Sequence, residues 1–240
     1  MPETLNPKGE NYAIWLPGAA TNAGGANSNV TLPPLNISSL PVTIEMWYKP
    51  DQDAASTYYA TLFYSRGTTA GNPNVGIQYD RWTDTEKIKA VWNGSGQIPE
   101  VRPVPGEWNH VALVVTPTSK LFYINGVPFT ESGISYTNFP FSWDIYLGWD
   151  NIYWTTVDDS RTLKGEIDEV RIWTTERSAQ ELEAYKYAVL NGDEPGLHGY
   201  WNFDDQAEGV ATDLSVHGFH GTINGGSYTT STLFSQMEYL

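Results

Sequence analysis

Residues 108–126 read W-N-H-V-A-L-V-V-T-P-T-S-K-L-F-Y-I-N-G. Residues 108–115 are of strand length and rich in β-branched and aromatic side chains, and residues 120–124 form a second run of the same kind. Thr116, Pro117, Thr118 and Ser119 separate the two runs with turn-forming residues. Asn125-Gly126 then follows. An Asn-Gly pair adopts readily the two positive φ angles of a type I′ turn, whose twist matches that of paired strands. The stretch therefore predicts antiparallel strands joined by two tight turns.

The same signals recur along the chain. Residues 12–16 predict a first strand, followed by a small-residue loop over 17–29 that holds Gly18, Gly24 and Gly25. In residues 41–49, Val42, Ile44, Met46 and Tyr48 fall on one face, with Thr43, Glu45, Trp47 and Lys49 on the other. Further strand-length runs occupy 59–65, 74–80 and 87–92, between turn clusters at 67–74, 93–96 and 103–106. Many short strands at this spacing predict an all-β sandwich or barrel. One helix stands out. Ser178 and Glu181 have the spacing of a capping box, Leu182, Tyr185 and Val189 form an apolar stripe, and Asn191-Gly192 supplies a stop. The pattern predicts a single helix near 179–190, of about three turns, on the edge of the sandwich.

Charge narrows the partners. The 28 acidic residues outnumber 13 basic ones, for a net charge of −15. Nucleic acid and anionic membrane surfaces both require a positive face, so neither is expected. The acidic excess is compatible with Ca²⁺, which takes oxygen ligands. There is no cysteine, which excludes disulfides, thiol catalysis and cysteine-ligated zinc. No apolar run reaches membrane-spanning length. No secretory leader is visible, so an extracellular protein of this sequence is expected to have lost one, with any neighbouring domains.

Four segments, in order, carry a family resemblance. They are T-I-E-M-W-Y-K-P at 43–50, W-N-H-V-A-L-V with F-Y-I-N-G within 108–126, G-E-I-D-E-V-R-I-W with S-A-Q-E-L within 165–182, and Y-W-N-F-D-D with D-L-S and H-G-T-I within 200–223. Together they resemble the laminin G-like (pentraxin-type) jelly rolls of the concanavalin A-like fold, as in bacterial surface lipoproteins. The resemblance covers roughly residues 12–226 and implies a single domain over 1–240. It implies an antiparallel two-sheet jelly roll whose tail returns to pair beside the first strands. It also implies a non-catalytic module, extracellular or at the cell surface, that binds carbohydrate. The alternative is a protein-binding or adhesion domain of a larger surface protein, and a jelly-roll glycoside hydrolase is the third possibility.

The hydrolase possibility turns on one strand. A related glucanase family places E-x-D-x-E along a strand, so that all three acids face a cleft. Here Glu166-Ile167-Asp168 starts the pattern, but Val170 stands where the last acid belongs. Glu169 comes one residue early and is expected on the opposite face, unless a bulge at Asp168–Glu169 brings it round. No glycoside hydrolysis is therefore expected, and Glu166 reads as a solvated strand-end residue. Asp168 should share an inward face with Val170 and Ile172, where a carboxylate needs a partner. The resemblance implies a structural calcium held by Asp168, with Gly18 and Ala19 supplying backbone oxygens.

Ten Trp and fifteen Tyr exceed what a core of this size needs, so some are expected to form binding surfaces. The long connection 149–161, W-D-N-I-Y-W-T-T-V-D-D-S-R, carries the best set. Trp149, Tyr153 and Trp154 offer faces for the C–H side of a sugar ring, and Asp150 and Arg161 can bond its hydroxyl rim. These five residues are the expected ligand site, with Trp82, Trp92 and Trp143 as further aromatic candidates. His110 matches a strand position, while His217 and His220 share the surface loop H-G-F-H.

Overall fold

The computed structural model describes residues 10–18, 28–51, 59–67, 73–80, 87–93, 95–97, 103–132, 141–150 and 161–234. In chain order the strands are β1 (Tyr12–Pro17), β2 (Asn29–Leu32), β3 (Val42–Pro50), β4 (Tyr59–Arg66), β5 (Asn74–Asp80), β6 (Lys87–Trp92), β7 (Ser95–Gln97) and β8 (Asn109–Val115). They continue as β9 (Ser119–Ile124), β10 (Val127–Ser132), β11 (Ile145–Leu147) and β12 (Lys164–Trp173). After helix α1 (Ala179–Tyr185) come β13 (Leu197–Trp201), β14 (Val210–Ala211), β15 (Gly221–Asn224) and β16 (Ser227–Thr230).

These strands form two antiparallel sheets, the sandwich that the alternating pattern predicts. The first runs β10-β9-β8-β3-β12-β1-β16, with β13 also paired to β12, and the second runs β14-β15-β2-β11-β4-β5-β6-β7. The tail does return to the start of the chain: β16 pairs with β1, and β15 pairs with β2. At the β9–β10 turn Asn125 and Gly126 take φ of 49° and 79°, the type I′ geometry their identities predict. Between the sheets lie Ile14, Ile44, Met46, Ile77, Val111, Phe122, Ile145 and Ile172, all fully buried. Each contributes roughly 1.5–3 kcal/mol from removal of apolar surface from water.

The β12 strand departs from simple alternation. Asp168 pairs with Trp47 and Arg171 with Glu45, so Glu169 and Val170 together face Met46 alone. This is a β-bulge, with Glu169 in the left-handed region at φ 53°. The extra residue resets the parity of the strand. Ile167, Val170 and Ile172 all point into the inter-sheet core. Asp168 therefore lies on the outer face of the first sheet, beside Trp47, and not on the inward face expected for it. Glu169 and Arg171 form an ion pair on that outer side, so Glu169 joins the face of Glu166 and Asp168.

The helix is shorter than its apolar stripe suggests, and it lies over the sheet rather than on its edge. The Ser178–Glu181 capping box forms as predicted, but α1 ends at Tyr185 after seven residues. Leu182 packs on Ala112, Val114 and Tyr123 of the first sheet's outer face. Side chains of that sheet then take the carbonyls beyond the helix. Arg171 donates to Tyr185 O at 2.8 Å and to Ala188 O at 2.6 Å, and Trp47 Nε1 donates to Lys186 O at 2.6 Å. Carbonyls bonded sideways are satisfied without another helical turn.

Candidate functional site

The outer face of the second sheet gathers most of the described part of the expected ligand site. Phe63, Val75 and Ile77 point into the core, so their neighbours Tyr64, Gly76 and Gln78 point away from it. Tyr64 is flanked across the sheet by Tyr146 on one side and by Gly76 on the other. A Cβ at position 76 would lie 2.3 Å from the Tyr64 ring, so a glycine there lets the ring lie down across β5. Tyr146 and Trp149 meet edge to face, their centroids 5.1 Å apart at 83°, and both are half-buried.

Asp150 is the anchor of this face. Its side chain is wholly buried, yet two guanidiniums reach it. Arg161 Nη1 donates to Asp150 Oδ2 at 2.8 Å, and Arg66 Nε stands 3.3 Å from Oδ1. Gln78 Nε2 adds a weaker bond to Oδ2 at 3.3 Å and another to Thr61 Oγ1. Burial pushes the Asp150 carboxyl above the usual range, and Arg66 and Arg161 pull against that shift. Arg66 also donates to the Tyr64 hydroxyl at 2.6 Å. Among the described residues, one carboxylate stands between two guanidiniums, framed by aromatic rings. Chemically the cluster offers fixed N–H donors beside apolar ring faces.

Trp149, Asp150 and Arg161 are thus neighbours in space. Tyr153 and Trp154 lie outside the described residues, as does Trp82. Tyr64, Arg66, Gln78 and Tyr146 were not among the sequence candidates. The alternation of Y-A-T-L-F-Y-S-R along β4 sets Tyr64 and Arg66 on one face, but only the pairing of β4 with β5 and β11 brings that face beside Gln78 and Tyr146. Trp92 is a core residue, fully buried against Phe141, and Trp143 is half-buried.

A laminin G-type family model, described as the concanavalin A-like lectin/glucanases superfamily, matches residues 24–183, more than half of the chain. The chain belongs to the concanavalin A-like lectin/glucanase superfamily. No curated protein matches it in sequence. Among solved structures it resembles a candidate carbohydrate-binding protein from Bacteroides ovatus, with a TM-score of 0.68 at 19% identity. That likeness covers 92% of this chain and 60% of the other, so the chain spans less than two thirds of that relative. It also resembles a heptameric SAP-like pentraxin from Limulus polyphemus, at TM-score 0.53 and 14% identity over 72% of this chain and 80% of the other. A third likeness is domain 4 of an extracellular arabinanase from Geobacillus stearothermophilus, in complex with arabinotriose. It has a TM-score of 0.50 and 19% identity over 74% of this chain and 88% of the other. At these identities the likenesses show the fold.

In this lectin/glucanase-type sandwich the acids of β12 are engaged within the protein. Glu166 is not a solvated strand end: it is 8% exposed and pairs with Lys49 Nζ at 2.6 Å. Glu169 is held by Arg171 and by the Tyr200 hydroxyl at 2.9 Å. Asp168 accepts from Asn11 Nδ2 at 2.9 Å, Ser231 Oγ at 2.9 Å and Glu169 N at 2.8 Å.

Asp168 and Gly18 do not fit a shared calcium site. Pro17 pairs with Lys164 and Ile14 with Ile167, so Gly18 lies beyond one end of the β1–β12 pairing and Asp168 beyond the other. That is on the order of 15 Å along the strand. The Gly18 carbonyl is taken by Ser28 Oγ at 2.9 Å, and Ala19 lies outside the described residues. Among the described residues no three His, Cys, Asp or Glu side chains converge on a metal position, and no helix is long and apolar enough to cross a membrane.

Proposed function

We propose that this chain is a non-catalytic carbohydrate-binding module of an extracellular or cell-surface protein. Its ligand sits on the outer face of the second sheet, against Tyr146 and Trp149, with Arg66 and Arg161 bonding sugar hydroxyls; Asp150, whose side chain is wholly buried, holds the two guanidiniums in place rather than touching the sugar. Tyr153 and Trp154 belong to the same proposal through their place in the 149–161 connection. The observation that carries the proposal is the Asp150 cluster. A buried carboxylate fixes two largely buried guanidiniums beside an edge-to-face aromatic pair, which is the combination of aromatic lining and a few convergent polar groups that small-ligand sites use. The likeness to an arabinotriose-bound domain supports a sugar ligand on this fold.

The non-catalytic part of the proposal rests on β12. Retaining hydrolysis needs two carboxyls about 5–5.5 Å apart across the scissile bond, one of them free to pass a proton. Glu166, Asp168 and Glu169 share a face but are each committed to a protein partner. Calcium belongs to the proposal only through the acidic excess of 28 against 13, and a melting curve unmoved by CaCl₂ or EDTA would remove it. A glycan array followed by calorimetric titration tests the main claim. Saturable glycan binding that falls with Trp149→Ala supports it. Binding only to cell-surface protein would favour an adhesion role.

A further inference from the structure

Between β13 and the turn that joins β14 to β15, far in sequence from the Asp150 cluster, two imidazoles meet. His198 of β13 and His217 have ring centroids 4.6 Å apart at 44°, and both pack on Phe219 at 5.2 and 5.7 Å. The backbone that presents His217 is tied down around Asp213. Oδ1 of Asp213 accepts from Tyr200 N at 2.9 Å and Ser215 N at 2.8 Å. Its Oδ2 accepts from Ser215 Oγ at 2.8 Å and Phe219 N at 2.7 Å. His217 N then donates to Ser215 Oγ at 3.2 Å.

The tautomer of His198 follows from its partner. Its Nε2 is 3.0 Å from Leu35 O, and a carbonyl only accepts, so Nε2 carries the proton. The neutral ring then keeps its lone pair on Nδ1. A histidine that donates one ring N–H to a carbonyl and offers the other nitrogen is the usual form of a metal ligand. His217 is exposed, and its ring packs beside those of His198 and Phe219. Two imidazoles on one tetrahedral ion at Zn–N of about 2.0–2.1 Å have centroids about 5 Å apart, close to the separation seen here. His220 is not part of this pair, since its Nδ1 accepts from Asp213 N at 3.1 Å.

From this we propose that His198 and His217 form a two-imidazole site for a divalent transition cation of borderline softness, such as Zn²⁺, completed by water. The site ties β13 to the 213–220 turn and is independent of the sugar face. The test is titration of the ¹⁵N-labelled chain with ZnCl₂ in a non-chelating buffer, following the ring nitrogens by NMR. His198 and His217 signals should move together and saturate. His217→Gln, an exposed change that leaves the metal-free melting temperature unaltered, should weaken binding by about a hundredfold or abolish it, and His220→Gln should leave it intact. Absence of a saturable response, or binding that survives His217→Gln or is lost with His220→Gln, would overturn the assignment.

Discussion

Arg161 reaches Asp150 from the start of the segment leading into β12, its Nη1 donating to Oδ2 at 2.8 Å on the outer face of the second sheet. The bond joins the two ends of the 149–161 connection. Arg66 meets the same carboxylate from β4, so the site is fastened to the sheet as well as to the loop. Asp150→Ala removes the carboxylate that the two guanidiniums share. Because both arginines keep some contact with water, the loss of stability should be about 1–3 kcal/mol, not the full penalty of a buried orphan charge. Urea denaturation measures it. Arg161→Lys should recover only part of any loss in ligand affinity, since an ammonium cannot reproduce the planar fork.

Glu45 gives the clearest pH dependence. It is buried, which opposes its charge, but His110 at 3.1 Å, Arg171 and Trp173 Nε1 at 2.8 Å hold its carboxyl below the ordinary 4.5. A folded pKa below the unfolded one gives stability that is complete above about pH 4.5 and is lost as pH falls through the lowered folded value. Glu45→Gln should flatten that acid limb in melting temperature against pH. It should also cost roughly 3 kcal/mol at neutral pH, because Arg171 loses a buried partner.

Asp168 should behave in the opposite sense. Burial and the neighbouring Glu169 hold its carboxyl well above the ordinary 3.8. A raised folded pKa means that ionisation in the folded state costs stability, so its contribution declines as pH rises from about 3.8 toward the folded value. Asn11 Oδ1, buried without a hydrogen-bond partner, can accept from an amide at position 168 after the Asn11 side chain turns over. Asp168→Asn should therefore be neutral or stabilising at pH 7 and should remove this part of the pH dependence. A loss of several kcal/mol would show that the charge is needed there.

The β12 acids supply a prediction about chemistry. Neither wild-type chain nor variant should release reducing sugar from β-glucans or related polysaccharides. Glu169→Gln should instead destabilise by about 3 kcal/mol through its broken pair with buried Arg171. Glu166→Gln should cost no more than about 1 kcal/mol, since Lys49 keeps part of its hydration. Turnover lost in both variants would mean that the shared face of Glu166 and Glu169 acts on substrate.

Much of the fold was legible because alternation and turn chemistry are local. The faces of residues 42–49, the Asn125-Gly126 turn and the Ser178 cap all depend on residues within a few positions of one another. What was not legible depends on distant partners. The bulge at Glu169 reverses the expected face of Asp168, and its signal is the opposing Met46 on another strand. The early end of α1 is set by Arg171 and Trp47, which take its final carbonyls from the sheet below. At the site, Trp149, Asp150 and Arg161 could be picked from one segment. Arg66, Gln78 and Tyr64 join them only through the pairing of β4 with β5 and β11, which a single sequence does not display.

The most direct test of the central claim is isothermal titration of the purified chain with the best hit from a glycan array, comparing wild type with Trp149→Ala. Half-buried Trp149 touches Tyr146 at the surface, so its removal should leave the melting temperature within a few degrees. A sugar ring stacked on an aromatic face, taken at about the 1–3 kcal/mol of other rings stacked on aromatic side chains, predicts a loss of roughly five- to hundredfold in affinity. Saturable binding in the wild type, with that loss in a folded variant, is the predicted result. Binding that is unchanged in Trp149→Ala, or no saturable glycan binding by the wild-type chain, would contradict the account.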